Sequence, residues 1–264
     1  MTFTAVLENI ARSPITMKIG EKLKTAKSIS LSGLSRLGKG LISTHLCQQQ
    51  AKPLLIVTAT LEEATRWALQ LQSMSWRVYL YPPLDTFPYE STPIDIETAW
   101  TQIEILDELL ANPQHNLAIA TTVNALQPHL PSVKVFKTHS LYLNVGDPQS
   151  VKPLTITFTK LGYLEVKEVK EEKQWSRKGF CIEIFPVNRA LPIRINLNRS
   201  AIEKIREFDP ANLKNQADLA NVAIAPVDLS AFAEFHSASL LDYLPKDFIV
   251  VIDELEQCQS YGDR

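Results

Sequence analysis

The sequence predicts an α/β protein in which a mostly parallel sheet domain is interrupted by a smaller α+β module. Three observations predict it. Strand and helix signals alternate as far as about Pro131. Closely spaced strand-like runs follow, with little helix between them. An apolar run at Phe248–Ile252 then returns to the character of the first segment. Alternating strands and helices on short connections imply a parallel sheet covered by helices. Crowded strands imply an antiparallel one. The expected domains are 1–140 completed by 222–264, and an inserted module at 141–221.

The composition sets outer bounds. The chain has 264 residues, 45% of them hydrophobic, which is enough for a real core and excludes wholesale disorder. Its 27 Lys+Arg against 29 Asp+Glu give a net charge of -2, which argues against a generic nucleic-acid coat protein. Three distant cysteines (Cys47, Cys181, Cys258) exclude a disulfide framework and a dense cysteine metal site. No metal is expected. The opening stretch MTFTAVLENIARSP carries no long apolar run, and no window is apolar enough to span a bilayer. A cytoplasmic protein with no membrane partner is expected.

Each element follows from local pattern. Ser28–Ser32 (SISLS) is a strand candidate running into Gly33–Gly40, with a helix near Leu41–Gln50. Pro53–Thr58 is an apolar run of buried-strand length. Thr60 with Glu63 forms a capping box for a helix over Leu61–Met74, whose Ala64, Trp67, Ala68 and Leu71 share one face. Arg77–Tyr81 is a third strand, Pro93–Leu110 a long helix and Leu117–Thr121 a fourth strand. In the second segment the strand candidates are Tyr163–Val169, Phe180–Phe185 and Ile193–Leu197. The charged run 165–178 reads as an exposed hairpin or a binding surface.

Three constellations could carry chemistry. Gly33-x-x-x-x-Gly38-Lys39-Gly40, between strand and helix, is a degenerate P-loop-like nucleotide loop. Glycines let backbone N–H groups curl round a phosphate, and the lysine adds a point charge. The residue after the lysine should be Ser or Thr to hold Mg²⁺, and here it is Gly40. The run Phe248–Ile252 ending in Asp253 and Glu254 has the form of a degenerate Walker B strand, with one carboxylate for Mg²⁺ and the next for water. Trp175-Ser176-Arg177-Lys178-Gly179-Phe180-Cys181 through Phe185-Pro186 combines cations with aromatics, the usual centre of a protein–protein hot spot. No Ser-His-Asp or Cys-His nucleophile system can be argued from the residues, and Cys47 reads as core packing.

Taken together, these stretches resemble the N-terminal region of the bacterial transcription-repair coupling factor. That region is itself similar to UvrB, the damage-recognition subunit of the nucleotide excision nuclease. The matching pieces keep the family's order: Gly33–Gly40, Leu54–Thr60 with Glu63-Ala64, and the loop from Tyr81-Pro82 to Pro88-Tyr89-Glu90. Ala118–Thr122, Leu161-Gly162-Tyr163, Arg177–Pro186, Leu191–Arg194, Ile205–Pro210 and Leu240–Pro245 follow.

The resemblance implies a P-loop-like domain that has lost ATPase function, and an inserted module like the second domain of UvrB, which recruits UvrA. It implies that Arg177, Lys178 and Phe185 face UvrA, while Arg194 and Glu183 support the sheet. The family's second arginine is Lys178 here, which cannot grip a carboxylate bidentately. The family's Asp is Glu183, and Phe180 and Cys181 stand at small or apolar positions. The crossing from Pro226 to Leu240 is shorter than the family's. With the chain ending at Arg264, neither the polymerase-binding domain nor the translocase motor is expected. The expected function is therefore non-enzymatic UvrA recruitment in nucleotide excision repair, without a cofactor. The rival readings are a residual ATP-binding P-loop domain, DNA binding through the basic stretch 173–178, and a truncated product with no partner.

Overall fold

The computed structural model describes residues 10, 12–26, 28–84, 95–111, 116–229 and 236–262. They fall into two compact units. The first takes its described residues from 1–84, 112–127 and 244–264, the second from 85–111 and 128–243.

In the first unit Ser13 caps helix α1 (Pro14–Leu23), its side chain accepting from the Thr16 N–H. Ser35 caps α2 (Arg36–Gln50) in the same way, accepting from Gly38. Strand β1 (Leu54–Thr58) leads into α3 (Leu61–Ser73), whose cap Thr60 accepts from the Glu63 N–H. Strands β2 (Arg77–Tyr81) and β3 (Leu117–Thr122) follow, and the strand Ile249–Ile252 and helix Leu255–Gly262 complete the unit.

The four strands form one parallel sheet, ordered Ile249–Ile252, β1, β3, β2. Leu54 of β1 lies opposite Ile249 on one side and Ala118 on the other. Both central strands are buried at every residue and mostly apolar, ending in threonines, as suits a parallel sheet covered on both faces. One face packs on α3, where Trp67 and Leu71 join Leu54, Ile56, Ala118 and Ala120 in a single cluster. Each leucine or isoleucine fully buried there contributes about 1.5–3 kcal/mol.

The expected strand at Ser28–Ser32 is not formed; residues 28–35 are irregular. Ile29 and Leu31 instead pack against Ile19, Ile42 and Leu46. The alternating apolar residues thus serve a small cluster beneath α1 and α2 without any backbone pairing. Residues 85–90 of the loop expected to begin at Tyr81 lie outside the described residues, as do Pro93 and Ile94 at the start of the expected long helix.

The second unit contributes α4 (Ile96–Ala111), β4 (Leu130–Pro131), α5 (Val133–His139), β5 (Leu141–Asn144) and α6 (Val151–Lys160). Six strands come next: β6 (Leu164–Glu165), β7 (Gln174–Lys178), β8 (Cys181–Ile184), β9 (Ile193–Leu197), β10 (Ile202–Phe208) and β11 (Asn215–Leu219). Strand β12 (Asn221–Ile224) pairs with β5, and β13 (His236–Ala238) with β4, before the short helix α7 (Leu240–Tyr243).

Strands β6 to β11 form one sheet in chain order, antiparallel throughout except for the parallel β6–β7 pair. Its inner face carries Ile182, Ile184, Ile193, Ile195 and Ile205, all essentially buried. The ring of Phe158 from α6 lies 6.1 Å from Trp175 and 6.5 Å from Tyr163. Gly162 follows the C-cap of α6 at φ +93°, and a Cβ there would sit 3.2 Å from Val227. Only glycine takes that backbone without strain.

One expectation is corrected, and some elements were not foreseen. The charged run 165–178 is not a hairpin, because β6 and β7 run parallel and residues 166–173 connect them. The hairpin of this region is β7–β8, one strand further on. The helix at Val151–Lys160 and the strands β10 and β11 were not among the expected elements. The sequence of α6, VKPLTITFTK, is rich in β-branched residues and holds a proline, so local propensity points away from helix. Its proline stands in the first turn, where no N–H is needed.

Candidate docking surface and lysine–carboxylate corner

Strands β7 and β8 meet in a two-residue turn, Gly179-Phe180, closed by the Lys178–Cys181 pair. Gly179 adopts φ +66° as the first central residue, and Phe180 is not among the positive-φ residues. That is the pattern of a type II′ hairpin, whose twist matches its strands. Arg177 and Lys178 stand exposed at the end of β7. Arg177 donates through Nε to the Gly179 carbonyl at 3.1 Å, and neither cation forms an ion pair among the described residues.

Phe185 is placed differently from expectation. It is buried, at 6% exposure. Its N–H donates to Gln174 and its carbonyl accepts from Lys173, so its backbone continues the β7–β8 ladder, away from the tip. Its ring belongs to the interior and is not offered to a partner. The aromatic side chain on the surface is Phe180, at 58% exposure. Period-2 alternation would have chosen the wrong one, because Phe185 shares the parity of Glu183 on the opposite face. Phe180 keeps the parity of the buried Ile182 and Ile184, and only its position in the turn takes it out to solvent.

The outer face of the sheet carries a charged row. Ladder register places Ser176, Glu183, Arg194, Arg206 and Asp218 opposite one another on five successive strands. Glu183 and Arg194 form its centre. Arg194 reaches the Glu183 carboxylate through Nε at 2.9 Å and through a terminal nitrogen at 2.7 Å. It also donates to Asn215 at 2.8 Å, and its guanidinium lies 4.7 Å from the Phe208 ring centroid. This pair supports the sheet on which the hairpin stands.

Behind the hairpin, the Tyr163 hydroxyl accepts from the Val187 N–H and donates to the Ala225 carbonyl. Asn188 donates to Asp107 and Ala223 and accepts from Ala225. Burial pushes the Asp107 carboxyl above its ordinary range, against the hydrogen bond from Asn188. These bonds tether the chain leaving β8 and fix the base from which the hairpin projects.

The first unit brings its two degenerate motifs together. Gly38 and Lys39 lie inside the first turns of α2, and Gly33 precedes the helix at φ +74°. The Gly38 N–H is taken by the Ser35 hydroxyl and the Lys39 N–H by the Ser35 carbonyl. Lys39 Nζ lies 2.7 Å from Asp253 and 3.1 Å from Glu254. The other Asp253 oxygen accepts from Trp67 Nε1 at 2.8 Å.

The hydrogen bond to Asp253 holds the Lys39 ammonium above its ordinary pKa, with burial opposing. Burial works to raise Asp253, but the bonds from Lys39 and Trp67 outweigh it and leave the carboxyl below its usual range. A Cβ on Gly40 would meet the Gln70 amide nitrogen at 2.4 Å, and that amide donates to the Arg36 carbonyl. The position where a magnesium-binding hydroxyl would stand is therefore filled from α3. Chemically, the corner satisfies its own charges.

Among the described residues no group of three or more His, Cys, Asp or Glu is placed to hold a metal, and no helix is long and apolar enough to cross a membrane. Cys47 is wholly buried, and burial pushes its thiol up to about 12. That is the profile of an inert core residue.

Residues 141–229 match the family model described as the UvrB interaction domain. The chain is also similar to transcription-repair-coupling factors. It is 25% identical over 198 residues to that of Bacillus subtilis, covering 74% of this chain and 17% of the relative. With the Mycobacterium tuberculosis protein the figures are 25% over 208 residues, 76% and 16%. With that of Staphylococcus aureus strain RF122 they are 27% over 196 residues, 74% and 16%. The chain thus spans about 17% of the length of the curated relatives it matches. The matched segment contains the β7–β8 hairpin and the Glu183–Arg194 pair.

Proposed function

We propose, from the UvrB interaction domain match and the likeness to transcription-repair-coupling factors, that this chain is a non-enzymatic DNA-repair module that recruits a UvrA-type protein. One observation carries the reading to particular residues. Within the matched segment, Arg177 and Lys178 are exposed cations without acidic partners among the described residues, held at the end of a tightly turned hairpin. A cation held before binding, as Arg177 is by the Gly179 carbonyl, meets a partner's carboxylate at less entropic cost than a mobile one. The two cations also raise the rate of encounter with an acidic surface.

The non-enzymatic part is supported by the corner of the first unit. Lys39 is engaged with two carboxylates, and the N–H groups of Gly38 and Lys39 bond to Ser35. ATP would have to displace all of these contacts. Duplex DNA is the weaker partner reading, because Glu165, Glu168, Glu171 and Glu172 stand among the lysines that precede β7.

Calorimetric titration of the whole chain with UvrA tests the proposal. The wild type is expected to bind, and Arg177→Glu with Lys178→Glu together to weaken binding by about a hundredfold, since opposed like charges cost several kcal/mol. Unchanged affinity in the doubly reversed variant would remove these residues from the interface. Absence of wild-type binding would remove the partner.

A further inference from the structure

Phe180 is the most exposed aromatic residue among those described, at 58%, ahead of Tyr142 at 47% and Tyr261 at 38%. It occupies the second position of a two-residue turn, where small polar residues are the common choice. The tip is fixed in place. The Phe180 carbonyl accepts from the Leu197 N–H of β9 at 2.9 Å, Arg177 holds the Gly179 carbonyl, and Lys178 pairs with Cys181 beneath it. The tip also projects, since a Cβ added at Gly179 would meet nothing within 4 Å. A large apolar ring is thus held outward by backbone bonds, near two cations that form no ion pair among the described residues. Leaving such a ring in water gains nothing for the fold.

We propose that Phe180 is the anchor of the docking hairpin. It inserts into an apolar pocket on a protein partner whose rim carries carboxylates, and Arg177 and Lys178 engage that rim. The inference rests on the reading that this segment docks a UvrA-type protein, and it names the chemistry of the contact. A protein pocket fits better than a nucleic-acid strand. One ring offers a single stacking platform, and the glutamates of 165–172 face a polyanion unfavourably. Aromatic and arginine side chains that become fully desolvated are the ones that dominate interface energetics. Phe180 is the residue here that combines size, rigidity and exposure.

The test is calorimetry of the whole chain against UvrA with Phe180→Ala and Phe180→Leu. Phe180→Ala should weaken binding by about thirtyfold, the loss typical of a hot-spot residue, and Phe180→Leu should recover part of it. Both variants should melt within a degree or two of wild type, because the ring contributes little to the core. Wild-type binding with an unchanged Phe180→Ala affinity overturns the anchor alone and leaves the recruitment reading in place. Absence of wild-type binding overturns the recruitment reading and the anchor with it. Phe180-dependent binding to a single-stranded oligonucleotide, with none to UvrA, overturns the protein-pocket assignment.

Discussion

Lys39→Met is expected to destabilise the first unit by about 3 kcal/mol, the lower end of what removing one partner of a buried ion pair costs. The lower end applies because Lys39 keeps 19% side-chain exposure, whereas Asp253 keeps 8%. Without the ammonium, Asp253 retains the Trp67 N–H alone, and Glu254, at 57% exposure, turns to water. Lys39→Met with Asp253→Asn should recover most of the loss, since the asparagine oxygen can still accept from Trp67 and no charge is left buried. Urea unfolding at neutral pH checks both variants.

The pH dependence of that difference has a definite sign. Asp253 is depressed below its reference 3.8, so its contribution is present above that value and is lost as pH falls through the folded-state pKa. Lys39 is raised above 10.5, so its contribution is complete below that value and is lost as pH rises through the folded-state pKa. The gap between wild type and Lys39→Met should therefore be flat from about pH 5 to pH 9 and narrow in strong acid. A gap that does not change below pH 3 would mean that Lys39 acts through packing alone.

Glu183→Ala should cost the second unit a similar amount, about 3 kcal/mol. At roughly 2–4 °C per kcal/mol for a chain of this size, its thermal midpoint should fall by about 6–12 °C. Glu183 is 9% and Arg194 19% exposed at the side chain, and two guanidinium nitrogens reach one carboxylate oxygen. The single change strands Arg194 on the sheet with Asn215 and the Phe208 ring for company. Replacing the pair by Glu183→Met with Arg194→Met should restore much of the midpoint, because an apolar pair carries no desolvation penalty. If the single and double changes lose equally, the pair has no coupling and the charged row does not support the hairpin.

These two charge pairs also show what could be read in advance. The parallel sheet was legible because β1, β2 and β3 are short apolar runs separated by a capped amphipathic helix. Thr60 and the buried face Ala64, Trp67, Ala68 and Leu71 stand where their spacing puts them. Ile193–Leu197 is a strand with the expected bounds. Strand β11, NQADL, is exposed at nearly every position and carries no hydrophobic signal, so only pairing with β10 reveals it. The nucleotide-loop pattern was visible, but its state was not. That Lys39 is engaged by Asp253 and Glu254 depends on residues more than two hundred positions apart in the chain. Phe185, the aromatic the sequence suggested for docking, is buried for a local reason. Phe180 stands in the turn and meets water, whereas Phe185 continues the ladder at the far end of β8 and is buried, and composition does not separate the two.

Hydrogen exchange of the whole chain with and without UvrA tests the central claim most directly. The account predicts that UvrA slows exchange in peptides covering 174–184, most strongly at the Gly179-Phe180 tip, and leaves the first unit around Lys39 and Asp253 unchanged. Slowing that is absent from this hairpin but present elsewhere in the chain would contradict it.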